Sequence, residues 1–194
     1  MSLRSACKTL YWDYVTHGRR VHNRAVWAMA VYRYGRWVGS LRPSPFKYLL
    51  DKAYSGLSVI SPVITGVVLD RETQVGKNFH IVHPGMVCIH PHARIGDKVG
   101  VMHGVTLGTS PSHTGCPTIG NNVFIGAYAT ILGGIKIGDG AKIAANSLVI
   151  CDVPAGATAI GVPAKVYPAA GAMPAKPAIS PFRPQPTPLR ATAG

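Results

Sequence analysis

Counting from Ile119, aliphatic side chains recur every six residues at Ile125, Ile131, Ile137, Ile143 and Val149, usually followed by Gly or Ala. A period of six fits neither an isolated helix nor a hairpin meander. It fits the inward-pointing positions of a triangular coil with three six-residue strands per turn. An earlier block keeps the same spacing through Val75 and Ile81, then Ile89, Ile95, Val101 and Leu107. The frame slips by two residues between Ile81 and Ile89, and a stretch of polar and breaker residues, Thr109 to Thr118, interrupts it before Ile119. The pattern predicts a mainly β fold, a parallel β-helix of hexapeptide repeats, over residues 61–166. Residues 1–60 are expected to form an N-terminal helical segment, with helices over 5–40 and 45–58 separated by Pro43 and Pro45. Residues 167–194 are rich in Pro and Ala, have no apolar period, and are expected to form an extended or disordered tail.

Composition agrees with one such unit plus appendages. The chain has 194 residues, 47% of them hydrophobic, and 22 glycines suit a structure that turns a corner every few residues. The net charge of +13 is uneven: residues 1–60 carry ten Lys/Arg against Asp13 and Asp51. Nucleic acid is not the expected partner, because the repeats supply no aromatic stacking platform, no recognition-helix pattern and no dense basic run. A phosphorylated cofactor, an acidic glycan or a membrane surface explains the charge equally well. Cys7, Cys88, Cys116 and Cys151 form no C-x-x-C pair or compact framework, so reduced thiols and a cytoplasmic location are expected. No signal-peptide core or bilayer-length apolar stretch is evident. The segment Ala25–Val38 mixes Trp27, Tyr32, Tyr34 and Trp37 with Arg33 and Arg36. Packing on the coil or on a neighbouring subunit is the preferred reading of that segment, and peripheral membrane contact the weaker one.

Five of the eight histidines, His80, His83, His90, His92 and His103, lie in the first coils. If the two-residue slip is absorbed at a corner, Val101 stacks above Ile81, and His83, His103, Ala127 and Ala145 form one outer column. Such a column lets a base face a reacting group at one end while a long flexible ligand lies along the small side chains.

At these residues the chain resembles a known family. The run His83-Pro84-Gly85-Met86-Val87 with Ile95-Gly96, then Val105-Thr106-Leu107-Gly108, Ile119-Gly120-Asn121-Asn122-Val123 and Gly161-Val162-Pro163-Ala164-Lys165 is similar to the serine O-acetyltransferases. These belong to the left-handed parallel β-helix superfamily, and the likeness is to their short forms. The resemblance covers roughly residues 60–166. It implies an acetyl-CoA-dependent O-acyltransferase with no metal, a small hydroxyl-bearing acceptor such as serine, and a homotrimeric assembly. His83 matches the family's general base, with His103 as a second catalytic candidate. An imidazole suits that task because its unperturbed pKa, about 6.5, lies close to working pH. Ala127 and Ala145 match positions where the pantetheine arm of the cofactor lies against backbone, and Lys165 matches a basic position near its phosphates.

Three positions depart from the pattern. A second histidine expected before the proline that follows the loop is Cys116, preceding Pro117. The acidic residue before the base is Val82, and the acidic residue that would orient it from one coil earlier is Val68. A backbone carbonyl or Asp70 is left to fix the tautomer of His83. The altered positions point toward a changed acceptor or weak activity, with His113 and Cys116 as candidate acceptor-binding residues. Cys116 is read as a small loop residue rather than a nucleophile.

Other classes are kept open. A sugar, polysaccharide or natural-product acceptor changes only the substrate. A non-catalytic β-helix scaffold would retain assembly without chemistry. A His-metal enzyme of the carbonic anhydrase type shares part of Met102-His103-Gly104, but its expected partner five residues before His103 is Lys98. Flat prism sides are expected to expose apolar residues that neighbouring subunits cover.

Overall fold

Each six-residue step of the sequence becomes one short strand and one corner. The computed structural model describes residues 3–111 and 114–169. Three helices come first, α1 (Leu3–Thr16), α2 (Arg24–Gly39) and α3 (Pro45–Thr65). The first turn of the β-helix comprises β1 (Val67–Leu69), β2 (Gln74–Val75) and β3 (His80–Ile81). The second comprises β4 (Val87–Ile89), β5 (Arg94–Ile95) and β6 (Gly100–Val101); the third, β7 (Thr106–Gly108), β8 (Thr118–Ile119) and β9 (Phe124–Ile125). The fourth has β10 (Thr130–Leu132), β11 (Lys136–Ile137) and β12 (Lys142–Ile143), and the fifth β13 (Leu148–Val149) and β14 (Thr158–Gly161). Corresponding strands stack in parallel into three sheets, β1-β4-β7-β10-β13, β2-β5-β8-β11 and β3-β6-β9-β12-β14. An antiparallel strand, β15 (Ala164–Tyr167), pairs with β14 and closes the last edge of the third sheet.

The register makes the hexapeptide frame the core. Ile81, Val101, Ile125, Ile143 and Ala159 form one inward file. Val75, Ile95, Ile119 and Ile137 form a second, and Ile89, Leu107, Ile131 and Val149 a third. All but Val75 are buried, so the interior is a column of interlocking aliphatic side chains, the apolar burial that offsets the backbone's ordering entropy. The two-residue slip falls in the corner 82–86, between β3 and β4, which carries His83.

The helical segment differs in detail from the sequence expectation. The stretch 5–40 is broken, because Gly18 and Arg19 adopt left-handed φ of 80° and 56°. Asn23 then caps α2 by accepting the Ala25 N–H at 3.0 Å. α3 starts at the Ser44 cap with Pro45 in its first turn and ends at Gly66, φ 69°. It therefore runs past 58 to Thr65, and the first strand begins at Val67. Pro62 does not stop it, since a proline near a helix end forfeits only one backbone bond.

The helices serve the coil by closing its open lower edge, whose backbone groups have no further turn to pair with. The Tyr32 hydroxyl donates to the Thr73 carbonyl at 2.7 Å and accepts the Val75 N–H at 3.2 Å. Arg33 donates to the Val75 and Gly76 carbonyls at 3.4 and 3.1 Å, and its guanidinium pairs with Asp13 of α1 at 2.8 Å. Burial pushes the Asp13 carboxyl up, against the pull of Arg33. His17 Nε2 accepts the Ile81 N–H at 3.1 Å, while Nδ1–H donates to the Asp13 carbonyl at 2.6 Å. The Tyr54 hydroxyl accepts the Arg71 N–H at 3.1 Å. Of the aromatic and basic residues of Ala25–Val38, Tyr32 and Arg33 are buried against the coil, Tyr34 reaches the Leu50 carbonyl of α3, and Trp27 is exposed.

The three prism sides differ from one another. Outward positions of the second sheet are Gln74, Arg94, Thr118 and Lys136, all exposed and polar. The other two sheets expose apolar residues at Val68 and Phe124, and further exposed apolar side chains lie on α3. Of the tail expected over 167–194, residues 170–194 lie outside the described residues.

Candidate active site

The corner between the third and first sheets carries the candidate chemistry. Residues two positions beyond the inward file Ile81, Val101, Ile125, Ile143 and Ala159 are His83, His103, Ala127, Ala145 and Gly161. Backbone bonds tie the corner together vertically: Gly104 N–H to the Gly85 carbonyl at 2.8 Å, Tyr128 N–H to the His103 carbonyl at 2.9 Å, and Asn146 N–H to the Ala127 carbonyl at 2.8 Å. The His83 and His103 rings lie 6.2 Å apart between centroids, His83 exposed and His103 half-buried. The predicted column therefore exists, two imidazoles below and small residues above. Among the described residues neither the Ala127 nor the Ala145 N–H donates to a protein acceptor, which leaves both for a ligand laid along the corner. At the top, Lys165 on β15 is exposed and pairs with Ile160, next to Gly161.

Sequence reasoning missed two features of this corner. Tyr128 packs its ring edge-on to His103 at 5.1 Å and occupies a left-handed φ of 57°, a conformation bulky residues avoid. Gly104 makes room for it, since a Cβ there would run into the Tyr128 ring. The signal in the sequence was a tyrosine at the corner position filled by Gly104 and Asn146 in neighbouring turns. The second feature is a chain of imidazoles behind His83. His80 lies edge-on to His17 at 5.1 Å, and burial, reinforced by His17 and His83, holds its pKa below the usual histidine range. Burial likewise lowers that of His17. Both rings therefore stay neutral near His83 at neutral pH.

The remaining site residues fall elsewhere. His113 lies outside the described residues. Cys116 sits before β8, at the corner between the first and second sheets, and its Sγ lies 3.1 Å from His90 Nδ1. That nitrogen also accepts the His92 N–H at 3.1 Å, so the His90 ring proton sits on Nε2 and the Cys116 contact is a thiol S–H donation. Burial raises the Cys116 thiol pKa. Cys116 is accordingly a thiol held by His90, on a different corner from His83. Val68 does not lie one turn below His83: both belong to the first turn, and beneath β3 is His17. Asp70 accepts the Glu72 N–H at 2.7 Å and makes no contact with His83. Among the described residues the His83 ring has no hydrogen-bonded partner, and no group of three His, Cys, Asp or Glu is placed to hold a metal ion.

A coil of hexapeptide turns with an exposed histidine at one corner is the architecture of a hexapeptide-repeat transferase. Residues 116–151 match the family description "Bacterial transferase hexapeptide (six repeats)". The serine acetyltransferase of Helicobacter pylori strain 26695 is 42% identical over 111 residues, 56% of this chain and 65% of that protein. Serine acetyltransferase 4 of Arabidopsis thaliana is 44% identical over 105 residues, 53% of this chain but 30% of its own length. The chain thus spans less than two thirds of these relatives. Among solved structures, soybean serine acetyltransferase without ligand superposes with a TM-score of 0.69 at 30% identity, over 84% of this chain and 69% of that one. The Brucella abortus serine acetyltransferase in complex with coenzyme A superposes with a TM-score of 0.74 at 26% identity, covering 88% and 71%. The chain belongs to the serine acetyltransferase family of hexapeptide-repeat proteins.

Proposed function

We propose that the protein is an acetyl-CoA-dependent O-acetyltransferase that acts on the hydroxyl of serine or of a related small metabolite. The observation that carries this reading is the column His83, His103, Ala127, Ala145 and Gly161, in which an exposed imidazole lies below small residues, the N–H groups of Ala127 and Ala145 having no protein acceptor among the described residues. His83 accepts the hydroxyl proton as the oxygen attacks the thioester carbonyl. The C–S bond then breaks, and the departing thiolate of coenzyme A takes the proton from the imidazolium. No covalent acyl-enzyme is required. His103 supports the acceptor side of the cleft, the pantetheine arm runs past Ala127 and Ala145, and Lys165 attracts the phosphates. We assign the protein to the cytoplasm on its four unpaired cysteines, and to a homotrimer as the family resemblance implies. No helix among the described residues is long and apolar enough to cross a membrane.

A second acceptor class is favoured by a specific observation. Serine carries an ammonium and a carboxylate, and a site selective for it needs fixed groups of opposite charge, since an unpaired charge costs several kcal/mol to desolvate. Val68 and Val82 provide none, and Cys116 is neutral and on another corner. A less charged hydroxyl compound therefore fits the site of one chain better than free serine. Coenzyme A release from acetyl-CoA, measured against a panel of amino acids and sugars, separates the readings. We expect L-serine to be a poor acceptor, and a kcat/KM for it of about 10⁴ M⁻¹s⁻¹ or more would overturn that expectation. Binding of acetyl-CoA with no release against any acceptor would instead indicate a non-catalytic scaffold.

A further inference from the structure

We propose that the helix pair α1 and α2 docks on an anionic lipid bilayer, with the turn between the helices as the inserted tip. The proposal concerns the helices rather than the column and does not depend on acetyl transfer. Charge is its starting point. In residues 3–40 the one carboxylate side chain is Asp13, which is buried and paired with Arg33. Arg4, Lys8, Arg19, Arg20 and Arg24 are all exposed, and among the described residues none of them forms an ion pair with a carboxylate. Five cations thus stand on the helix pair with nothing of the protein's own to balance them.

Apolar groups sit among these cations. Residues 18–22 are all exposed, with Val21 at 68%. The protein's own hydrogen bonds fix this turn: Tyr14 donates its hydroxyl to the Arg19 carbonyl at 2.6 Å, the Asn23 side-chain amide donates to the His17 carbonyl at 3.2 Å, and the Trp27 indole N–H donates to the Val21 carbonyl at 2.8 Å. Trp27 therefore has its polar atom satisfied while its ring is exposed, so burying the ring in lipid strands no donor. Between the helices runs an apolar cleft of about 480 Å³, lined by Leu10, Tyr11, Tyr14, Val21, Val26 and Trp27 and, among the described residues, by no charged side chain. Basic side chains around exposed Trp, Tyr and Val are the composition of a segment that lies in a membrane interface.

Two comparisons choose the occupant. A second copy docked face to face would bring five cations against five, with no carboxylate between them. A single-stranded nucleic acid would balance the charge but leave the hydrocarbon-lined cleft unfilled, because its bases need flat stacking faces. Acyl chains beneath an anionic headgroup layer satisfy both the charge and the cleft. The tip starts one residue after His17, whose Nε2 accepts the Ile81 N–H two residues from His83, so docking sets the His83 corner close to the lipid surface.

The test is co-sedimentation of the full chain with phosphatidylcholine vesicles, with and without phosphatidylglycerol, for wild type, Arg19→Asn/Arg20→Gln and Val21→Ser. Asn tolerates the left-handed φ of 56° at position 19, and the Val21 side chain is exposed while its carbonyl makes the bond to Trp27. Both variants should therefore keep the wild-type circular dichroism and melting point. The wild type is expected to pellet with the phosphatidylglycerol vesicles and to be released by high salt. Each Arg near an anionic surface strengthens binding about fivefold, so the double variant should bind about 25-fold more weakly. Val21→Ser should weaken binding about fivefold, and brominated acyl chains should quench the wild-type tryptophan fluorescence. A wild type that stays in the supernatant, or variants that pellet as it does, would overturn the proposal. So would pelleting with no quenching, or a single-stranded oligonucleotide that binds as tightly and is lost by the same double variant, which would make the helix pair a nucleic-acid surface.

Discussion

Replacing Tyr32 with phenylalanine removes one oxygen from the junction between α2 and the first turn of the coil and leaves the ring in place. That oxygen serves two backbone groups, donating to the Thr73 carbonyl at 2.7 Å and accepting the Val75 N–H at 3.2 Å. Burial pushes the hydroxyl's pKa up, so it remains a neutral donor across the working range. Thr73 is fully buried and β2 has no strand beneath it, so neither group finds a replacement within the turn. An unpaired backbone group at a buried edge costs about 1–3 kcal/mol, and because Val75 is only half-buried and its N–H lies at the low end of that range, the expected loss for the pair is about 2–4 kcal/mol. For a chain of this size each kcal/mol moves the thermal midpoint by about 2–4 °C, so Tyr32→Phe should melt about 5–15 °C below wild type. Tyr34→Phe is the control, because its hydroxyl makes a single 3.1 Å bond to the Leu50 carbonyl and should cost about 1 kcal/mol. Differential scanning fluorimetry of the three proteins reads the difference. A Tyr32→Phe midpoint within about 2 °C of wild type would refute the view that helix side chains substitute for the missing turn.

Two further expectations follow from the same geometry. Ala127→Trp or Ala145→Trp should raise the KM for acetyl-CoA far more than that for the acceptor, because the indole fills the corner groove; a change confined to the acceptor KM would assign the groove to the other ligand. The lowered pKa values of His17 and His80 mean that the unfolded chain binds protons there before the folded one does, so stability is complete above pH 6.5 and falls as pH drops below it. Between about pH 7 and 5.5, above the ordinary carboxylate range, His17→Gln should flatten this fall, because the amide oxygen can accept the Ile81 N–H without titrating; parallel wild-type and variant profiles would remove His17 as a cause.

The fold was legible because a period of six has few structural solutions. Once Ile119, Ile125, Ile131 and their successors are read as inward, the register and the column His83, His103, Ala127 and Ala145 follow from stacking alone. The two-residue slip, an irregularity in the sequence, is the enlarged corner that presents His83. What stayed hidden was pairing across distant stretches. Nothing local to His90 announces a thiol 3.1 Å away at Cys116, and nothing in Tyr32, Arg33 or His17 reveals that they cap a sheet edge. The helix ends differ for local reasons: Gly18 and Arg19 take left-handed φ inside the stretch 5–40, and α3 runs on from 58 through Pro62 to Thr65. The exposed apolar side chains of α3 also show that hydrophobic positions on a helix do not say what, if anything, they pack against.

The most direct measurement is acetyl transfer by His83→Ala against wild type, with coenzyme A affinity determined on the same preparations. The exposed imidazole sits at the foot of the column, two turns below Ala127. If it is the general base, transfer falls by about 10² to 10⁴ while coenzyme A binds nearly as before. Unchanged turnover in the variant would contradict that role, and a loss of turnover matched by loss of coenzyme A binding would place His83 in the cofactor's site instead.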